Sequence, residues 1–342
     1  MRKEADALAS FEERILAFAR ESEFGSFWLA VVLSSKMEEG LSAQESGELK
    51  SRIKRELGGK LEARWGKKSI RASHDSPDVL FTLDFHSGRL RAEVKPLLFY
   101  GRYRKLSREI PQSKWPCKRC GGRGCARCGG KGAMYPETVE GFLAAPLLGR
   151  AGAAESKMHA AGREDVDARM LGAGRPFVLE IVGPKRRRLD LGKAAAEANR
   201  AAEGKASFSR LSPAAGKDVE AVKAAQPDKT YRLEVSCPKR ISDSLLKRLQ
   251  QLKGKTISQA TPQRVLHRRP DLVRKRKVRS VSVKRMSPKS FLLTVRAQSG
   301  TYVKELVTGD SGRTRPSVSS LLGCACAPKN LDVLKVWFRR AR

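Results

Sequence analysis

The chain has 342 residues, enough for two or three domains with separate cores. Its 70 Lys+Arg against 36 Asp+Glu give a formal charge of +34. A compact monomer tolerates that only with a polyanion or counterions, so nucleic acid is the leading partner. The longest apolar run, Phe27 to Leu33, falls far short of the ~20 residues that span a bilayer, and the start Met1-Arg2-Lys3-Glu4 lacks an apolar signal region. A cytoplasmic chain with reduced thiols and no membrane partner is expected, in which clustered cysteines point to metal more than to disulfides.

From Glu4, the spacing of Leu8, Phe11, Ile15 and Phe18 predicts a helix that breaks at Gly25. A second apolar helix through Val31 and Leu33 and a third ending at Gly58-Gly59 follow. Val79 to Phe85 and Leu90 to Val94 alternate in strand fashion around His86-Ser87-Gly88, the pattern of a β-hairpin. In Phe99-Tyr100-Gly101-Arg102-Tyr103-Arg104 aromatics alternate with cations. Such interleaving suits stacking on bases with Arg102 and Arg104 on phosphates, and equally suits a strand of half-buried tyrosines.

Cys117-Lys118-Arg119-Cys120 and Cys125-Ala126-Arg127-Cys128 are two C-x-x-C knuckles surrounded by glycines. Four thiolates at this spacing are the set that a tetrahedral structural Zn²⁺ needs, and a closed set leaves no position for substrate. Cys237, Cys324 and Cys326 stand in apolar or small-residue settings and read as buried free thiols.

Residues 136 to 161 read as a helix. After it comes Gly162-Arg163-Glu164-Asp165-Val166-Asp167-Ala168-Arg169, running on to Gly174-Arg175-Pro176-Phe177. Acids between arginines, followed by glycines, describe a structured loop that displays a carboxylate in a cationic frame, or else a surface loop with local ion pairs. Phe177 to Val182 predicts a strand, and Lys185-Arg186-Arg187-Arg188 continues the basic theme. Residues 189 to 228 suit surface helices and loops. Thr230 to Val235 and Phe291 to Ala297 alternate as strands.

Between them, Arg264 to Arg285 holds ten Lys/Arg and one acid, Asp271. So one-sided a run points to phosphate contact, through Arg268, Arg269, Arg274, Lys275, Arg276 and Lys277, with Arg186 and Arg187 upstream and Arg313 and Arg315 downstream. Ser299 to Leu306 reads as a glycine turn entering a short helix that carries a cation.

In order, Gly162 to Asp167, Lys229-Thr230-Tyr231, Val265-Leu266-His267-Arg268-Arg269-Pro270 and Gly300-Thr301-Tyr302-Val303-Lys304-Glu305 with Gly312-Arg313-Thr314-Arg315-Pro316 resemble the tRNA pseudouridine-54/55 synthase family of archaea and eukaryotes. Phe99 to Tyr103 and Pro111-Gln112-Ser113-Lys114-Trp115 also look like that family, so the resemblance covers about residues 76 to 323. It implies an α+β protein. An N-terminal THUMP-like RNA-binding module, with the four-cysteine zinc knuckle, spans residues 1–135, and a pseudouridine synthase fold on a large mixed β-sheet spans 136–342. The N-terminus departs from the pattern. Where archaeal relatives would carry another C-x-x-C pair this chain has Glu23-Phe24-Gly25-Ser26-Phe27-Trp28, and the four cysteines of 117 to 128 can close a site alone.

The resemblance further implies a tRNA partner whose T-loop uridines, 54 and/or 55, are isomerised by a monomer without an organic cofactor. By the Gly-Arg-x-Asp pattern Asp165 is the catalytic carboxylate, as nucleophile or as base, with Asp167 its rival. A carboxylate in a site that excludes water needs a cation beside it. Lys304 is that partner by resemblance, and Arg163 is the cation close in sequence. Tyr231 would support the flipped uracil and Leu306 would wall the other side. His267 reads as structural or RNA-facing. A non-catalytic RNA-binding protein accounts for charge and cysteines but not for the order of these residues. A methyltransferase would need a Gly-rich cofactor loop that the sequence lacks.

Overall fold

The computed structural model describes residues 2–66 and 70–340. The chain divides into two compact units, one of Met1–Leu97 with Leu147–Lys157 and Glu180–Asp190, the other of Leu98–Pro146, Met158–Leu179 and Leu191–Arg342.

The first unit contains α1 (Arg2–Glu21), β1 (Ser26–Val32), α2 (Ser35–Glu38), α3 (Ala43–Trp65), β2 (Arg71–Ala72), β3 (Val79–Asp84) and β4 (Arg89–Val94), and its sheet has the order β2-β1-β3-β4. Leu8, Phe11 and Ile15 of α1 meet Ile53, Leu57, Leu61 and Trp65 of α3 at helix spacing, and both rows cover Phe27, Leu29, Val79, Phe81 and Leu83 of the sheet. The hairpin is present, with Asp84 opposite Arg89 and the Asp84 side chain accepting from the His86 and Ser87 N–H groups.

Two expectations are corrected here. Phe27 to Val32 is the strand β1, not a helix, because a short apolar run has no period that separates the two, and here both of its edges are paired by β2 and β3. The helix expected to end at Gly58-Gly59 runs on to Trp65. Gly58 is buried in its interior, where a Cβ would stand at an ordinary 4.0 Å from Leu29, so the glycine does not end the helix.

The second unit contains β5 (Leu97–Lys105), α4 (Val139–Ala151), β6 (Glu155–Ala160), β7 (Arg169–Val182), α5 (Leu191–Ala201), β8 (Ala206–Phe208), β9 (Ser212–Pro213), α6 (Gly216–Ala224), β10 (Lys229–Ser236), α7 (Asp243–Arg248), β11 (Thr256–Gln259), β12 (Arg274–Ser287), β13 (Ser290–Ala297), α8 (Val303–Thr308), β14 (Thr314–Arg315), α9 (Val318–Leu322) and β15 (Ala327–Val336), although α4, β6 and β7 each straddle the division. An 11-stranded mixed sheet runs β14-β11-β12-β13-β10-β15-β7-β5-β8, with β6 on β7 and β9 on β5. The protein is therefore α+β with one large mixed sheet, in which β15 and β7 pair in parallel while β10 is antiparallel to both β13 and β15.

The first segment of the first unit ends at Leu97, and β5, which pairs with β8 and β9, belongs to the large sheet. The helix expected over 136 to 161 stops at Ala151, and Glu155–Ala160 is a strand. Phe177–Val182, Thr230–Val235 and Phe291–Ala297 are strands as expected, within β7, β10 and β13.

Candidate active site

The loop between β6 and β7 is built on a buried ion pair. Arg175 leaves β7 and donates from Nε to Glu164 at 2.9 Å and from Nη1 to the Ala161 carbonyl at 2.7 Å, with both charged side chains 1% exposed. The Tyr103 hydroxyl donates to the same carboxylate at 3.0 Å, while Gln112 donates to the Tyr103 oxygen and to the Gly162 carbonyl. Gly162 has φ +83°, and a Cβ there would lie 3.2 Å from Arg175 Nη1 and 3.4 Å from Lys229 Nζ, so the loop turns where a side chain has neither conformation nor room. Lys105, fully buried, donates to the carbonyls of Ile110, Asp165 and Val166 at 3.0, 3.3 and 2.6 Å.

The carboxylate held inside the cationic frame is thus Glu164, and Asp165 is the next residue, displayed outward. Asp165 lines a cleft of about 460 Å³ whose walls include Tyr231, Val265, Val303, Leu331 and Val333, and whose cations are Arg163, Arg175, Lys229, Arg264, Arg269, Arg274, Arg276 and Lys304. Its side chain is 45% exposed and has two cationic neighbours, Lys304 at 3.4 Å and Arg264 at 3.5 Å. Asp167 takes the closer contact with Lys304, 2.8 Å, yet is outside the cleft lining. Burial pushes the Asp167 carboxyl up, but the hydrogen bond and charge of Lys304 more than offset it, leaving it below the usual range.

Tyr231 enters the cleft from the centre of the sheet, opposite Val295 on β13 and Val333 on β15, and is 8% exposed. Burial pushes its phenol up to about 12, so at neutral pH it offers a neutral ring. Lys105 and Lys229 are each brought down to about 8, chiefly by burial. Among the described residues, the buried Arg276 Nε has no partner, and Lys229 has a long bond of 3.3 Å to Ser299 Oγ. Both leave donor capacity for an incoming acceptor.

Other expected residues are placed differently. Leu306 is fully buried and outside the cleft lining, while Val303, one turn earlier on α8, faces the cleft. Arg163 lines the cleft with its guanidinium 5.6 Å from the Trp115 ring centroid, and the cations beside Asp165 are Lys304 and Arg264 instead.

Of the expected phosphate-binding cations, Arg269, Arg274 and Arg276 line the cleft, and Lys275, Lys277, Arg186 and Arg315 are exposed. The Arg268 side chain lies outside the described residues. Several are engaged by the protein itself, among them Arg269 with the Tyr302 hydroxyl at 3.1 Å, Arg274 with Thr261 Oγ1 at 3.1 Å and Arg315 with the Gly312 carbonyl at 2.9 Å. Arg102 donates to Gly174 and Phe338, Arg187 donates to Lys95 and pairs with Asp78 at 3.2 Å, and Arg313 donates to Thr261 and pairs with Asp271. Arg104 is bound to Ser207 Oγ. The Phe99–Arg104 stretch is strand β5 with Tyr103 fully buried, the plainer of its two readings.

The Sγ atoms of Cys117, Cys120, Cys125 and Cys128 all lie within 4.8 Å of one another, three of the separations being 3.8, 3.9 and 4.0 Å. Tetrahedral thiolates about 2.3 Å from an ion stand about 3.8 Å apart, so the set fits one metal ion. Backbone N–H groups of Gly124, Cys125 and Gly132 point at sulfur at 3.2 Å, as donors to ligating thiolates do. The knuckles pass backbone against backbone. A Cβ on Gly132 would lie 2.1 Å from the Gly122 carbonyl oxygen, and one on Gly124 would lie 2.6 Å from that of Gly130.

Residues 98–337 match the family model described as Pus10, C-terminal. The chain is 44% identical over 261 residues to a protein of Methanocaldococcus jannaschii named tRNA pseudouridine synthase Pus10, covering 76% of this chain and 57% of that one. A namesake from Methanothrix thermoacetophila is 44% identical over 290 residues, 84% of this chain and 63% of its own. One from Archaeoglobus fulgidus is 35% identical over 339 residues, 97% and 92% of the two chains. The chain thus spans about three fifths of the length of the first two relatives. Its match to the family model covers the cleft, the loop beneath it and the four cysteines, and the chain belongs to the Pus10 family.

Proposed function

We propose that the chain isomerises uridine to pseudouridine in tRNA, with Asp165 as the reacting carboxylate and the T-loop uridines 54 and/or 55 as its targets. The observation that carries the reading is one half-exposed aspartate in a cleft that has a neutral tyrosine ring on one wall and cations around it, in a chain whose relatives are named tRNA pseudouridine synthases.

The reaction breaks the C1′–N1 bond, turns the uracil and joins C1′ to C5. N1 gains a proton and C5 loses one, so the change is redox-neutral. Asp165 acts on the sugar either at C1′ as a nucleophile or on a sugar proton as a base, and as carboxylate it can accept the C5 proton. Tyr231 supports the base out of the stack, and Leu331 and Val333 supply apolar surface beside it. Because the Asp165 side chain is 45% exposed, the RNA itself has to exclude water from it when bound. Arg269, Arg274 and Arg276 meet phosphates, with Arg276 Nε as the buried donor that the RNA satisfies. Zn²⁺ is the ion we assign to Cys117, Cys120, Cys125 and Cys128, in a structural role. The first unit serves as a THUMP-type RNA-binding module, its four-stranded sheet backed by α1 and α3.

The test is incubation with unmodified tRNA, no cofactor, and mapping of pseudouridine. Asp165→Ala is expected to lose about 10²–10⁴-fold or more in rate while tRNA binding survives, and Asp167→Ala to stay within about tenfold. An active Asp165→Ala protein beside a dead Asp167→Ala protein would move the role to Asp167. A folded wild type that binds tRNA and makes no product would leave a non-catalytic RNA-binding protein.

A further inference from the structure

A second group of thiols lies elsewhere in the catalytic unit. Cys237 follows β10 and Cys326 precedes β15. The ladder register Val235↔Pro328, Ser236↔Ala327 places them directly opposite one another at the strand ends. Cys324 stands two residues before Cys326, in the bend that follows α9. The three Sγ atoms lie within 4.8 Å of one another, with Cys237 to Cys326 at 3.4 Å and Cys324 to Cys326 at 3.9 Å. Cys237 and Cys326 are buried and Cys324 is half-buried.

The backbone around the group is fixed from several sides. The Cys237 N–H donates to the Lys289 carbonyl at 2.8 Å, the Cys326 N–H to Ser319 Oγ at 2.9 Å, and Ser319 Oγ in turn to the Val307 carbonyl at 2.8 Å. Lys239 Nζ reaches the carbonyl of Gly323, the residue before Cys324, at 3.1 Å.

We propose that Cys237, Cys324 and Cys326 form a second metal site, a three-thiolate centre for a thiophilic ion such as Zn²⁺ whose fourth ligand is water entering on the Cys324 side. Three converging sulfurs at these separations match the spacing of about 3.8 Å that thiolates take around one ion. Cys237 and Cys326 are free thiols with Sγ atoms 3.4 Å apart, well beyond the ~2.05 Å of a disulfide. The ion ties the end of β10 to the start of β15, the strands that carry Tyr231 and Val333 into the cleft, and to the chain leaving α9.

The test is zinc content of the full chain purified under reducing conditions and loaded with Zn²⁺ alone, for the wild type, Cys324→Ala and Cys120→Ser. Cys324→Ala alters the half-buried member and should fold. It is expected to hold one equivalent less than the wild type, while Cys120→Ser keeps the ion that Cys324→Ala loses. That difference is read whether or not the 117–128 cysteines hold zinc, so failure of that assignment is seen separately. In the loaded wild type, alkylation of Cys324 should be slow and should speed up at least tenfold on adding a chelator. Equal zinc in wild type and Cys324→Ala, a chelator-independent alkylation rate, or a wild-type chain two hydrogens lighter with Cys237 and Cys326 joined would each overturn the proposal.

Discussion

Replacing Arg175 with Met removes the cation beneath the 162–169 loop while keeping most of its volume. Glu164 would stay in a site where it is 1% exposed, with the Tyr103 hydroxyl as its remaining donor, and the Ala161 carbonyl would lose its 2.7 Å bond. Removing one partner of a buried pair costs about 3–5 kcal/mol. At 1.4 kcal/mol per factor of ten, the middle of that range raises the unfolding constant by roughly 10³. The appropriate assay is urea unfolding of the full chain followed by hydrogen exchange of peptides covering 161–178, which reports on the unit concerned and not on the first one. Activity should fall at least ~10²-fold even below the unfolding transition, because the residue next to Glu164 is Asp165 and a displacement of about 1 Å has that effect. The double variant Glu164→Leu, Arg175→Met should recover much of the stability, since two apolar groups leave no buried charge unpaired. A single variant within about 1 kcal/mol of wild type, or a double variant as unstable as the sum of the singles, would refute the account of this loop as resting on the ion pair.

Three further predictions concern separate features. Lys105 and Lys229 have folded values near 8 against 10.5 for a free lysine, so between pH 8 and 10.5 the unfolded chain binds more protons and their contribution to stability rises with pH. Lys105→Met should flatten the stability slope between pH 8 and 9.5 by up to one proton, below the range where Tyr231 titrates, and an unchanged slope would contradict the assignment. Gly132→Ala places a Cβ against the Gly122 carbonyl at a φ of +64° and should abolish metal uptake by the 117–128 cysteines, so full metal content in that variant would show the two knuckles are not packed in this way. Arg276→Ala should weaken tRNA binding and reduce the slope of log affinity against log salt by about one, with no change in slope meaning that this guanidinium meets no phosphate.

The sequence displays what has a local signature. The helix faces of α1, the β3–β4 hairpin, the alternating strands β10 and β13 and the C-x-x-C knuckles each rest on periodicity or spacing within a few residues. What it does not display depends on burial by distant chain. Phe27 to Val32 has the composition of either a helix or a strand, and only its pairing with β2 and β3 decides. Arg102, Arg187 and Arg313 are indistinguishable in sequence from the arginines that line the cleft. Their carbonyl and carboxylate partners are far away in the chain or belong to turns that no pattern announces. Glu164, Lys105, Lys229 and Arg264 escaped for the same reason. The pairing of Glu164 with Arg175 across a tight glycine turn had one visible cue, the return of an arginine just after Gly174.

The consecutive acids Glu164 and Asp165 have opposite surroundings, and the difference bears on the chemistry. Glu164 is locked by short bonds on both oxygens, which makes it a support and removes it from reaction. Asp165 has two cations nearby, but each is held more closely by another carboxylate: Lys304 by Asp167 at 2.8 Å, and Arg264 by Glu305 at 2.7 Å. Asp165 is left at 3.4 and 3.5 Å, beyond ordinary hydrogen-bond length, so it feels positive charge without a bond that a substrate would have to break. On the proposed reading that arrangement suits a nucleophile or base, because both oxygens of a carboxylate without a short ion pair stay open to the sugar. Asp167 and Glu305 therefore act as placeholders that fix the two cations. Arg264 lies on the 3-10 turn Gln263–Arg268 before β12, and the buried Glu305 carboxylate holds it at 2.7 Å, so its charge stays fixed at the cleft wall beside Asp165.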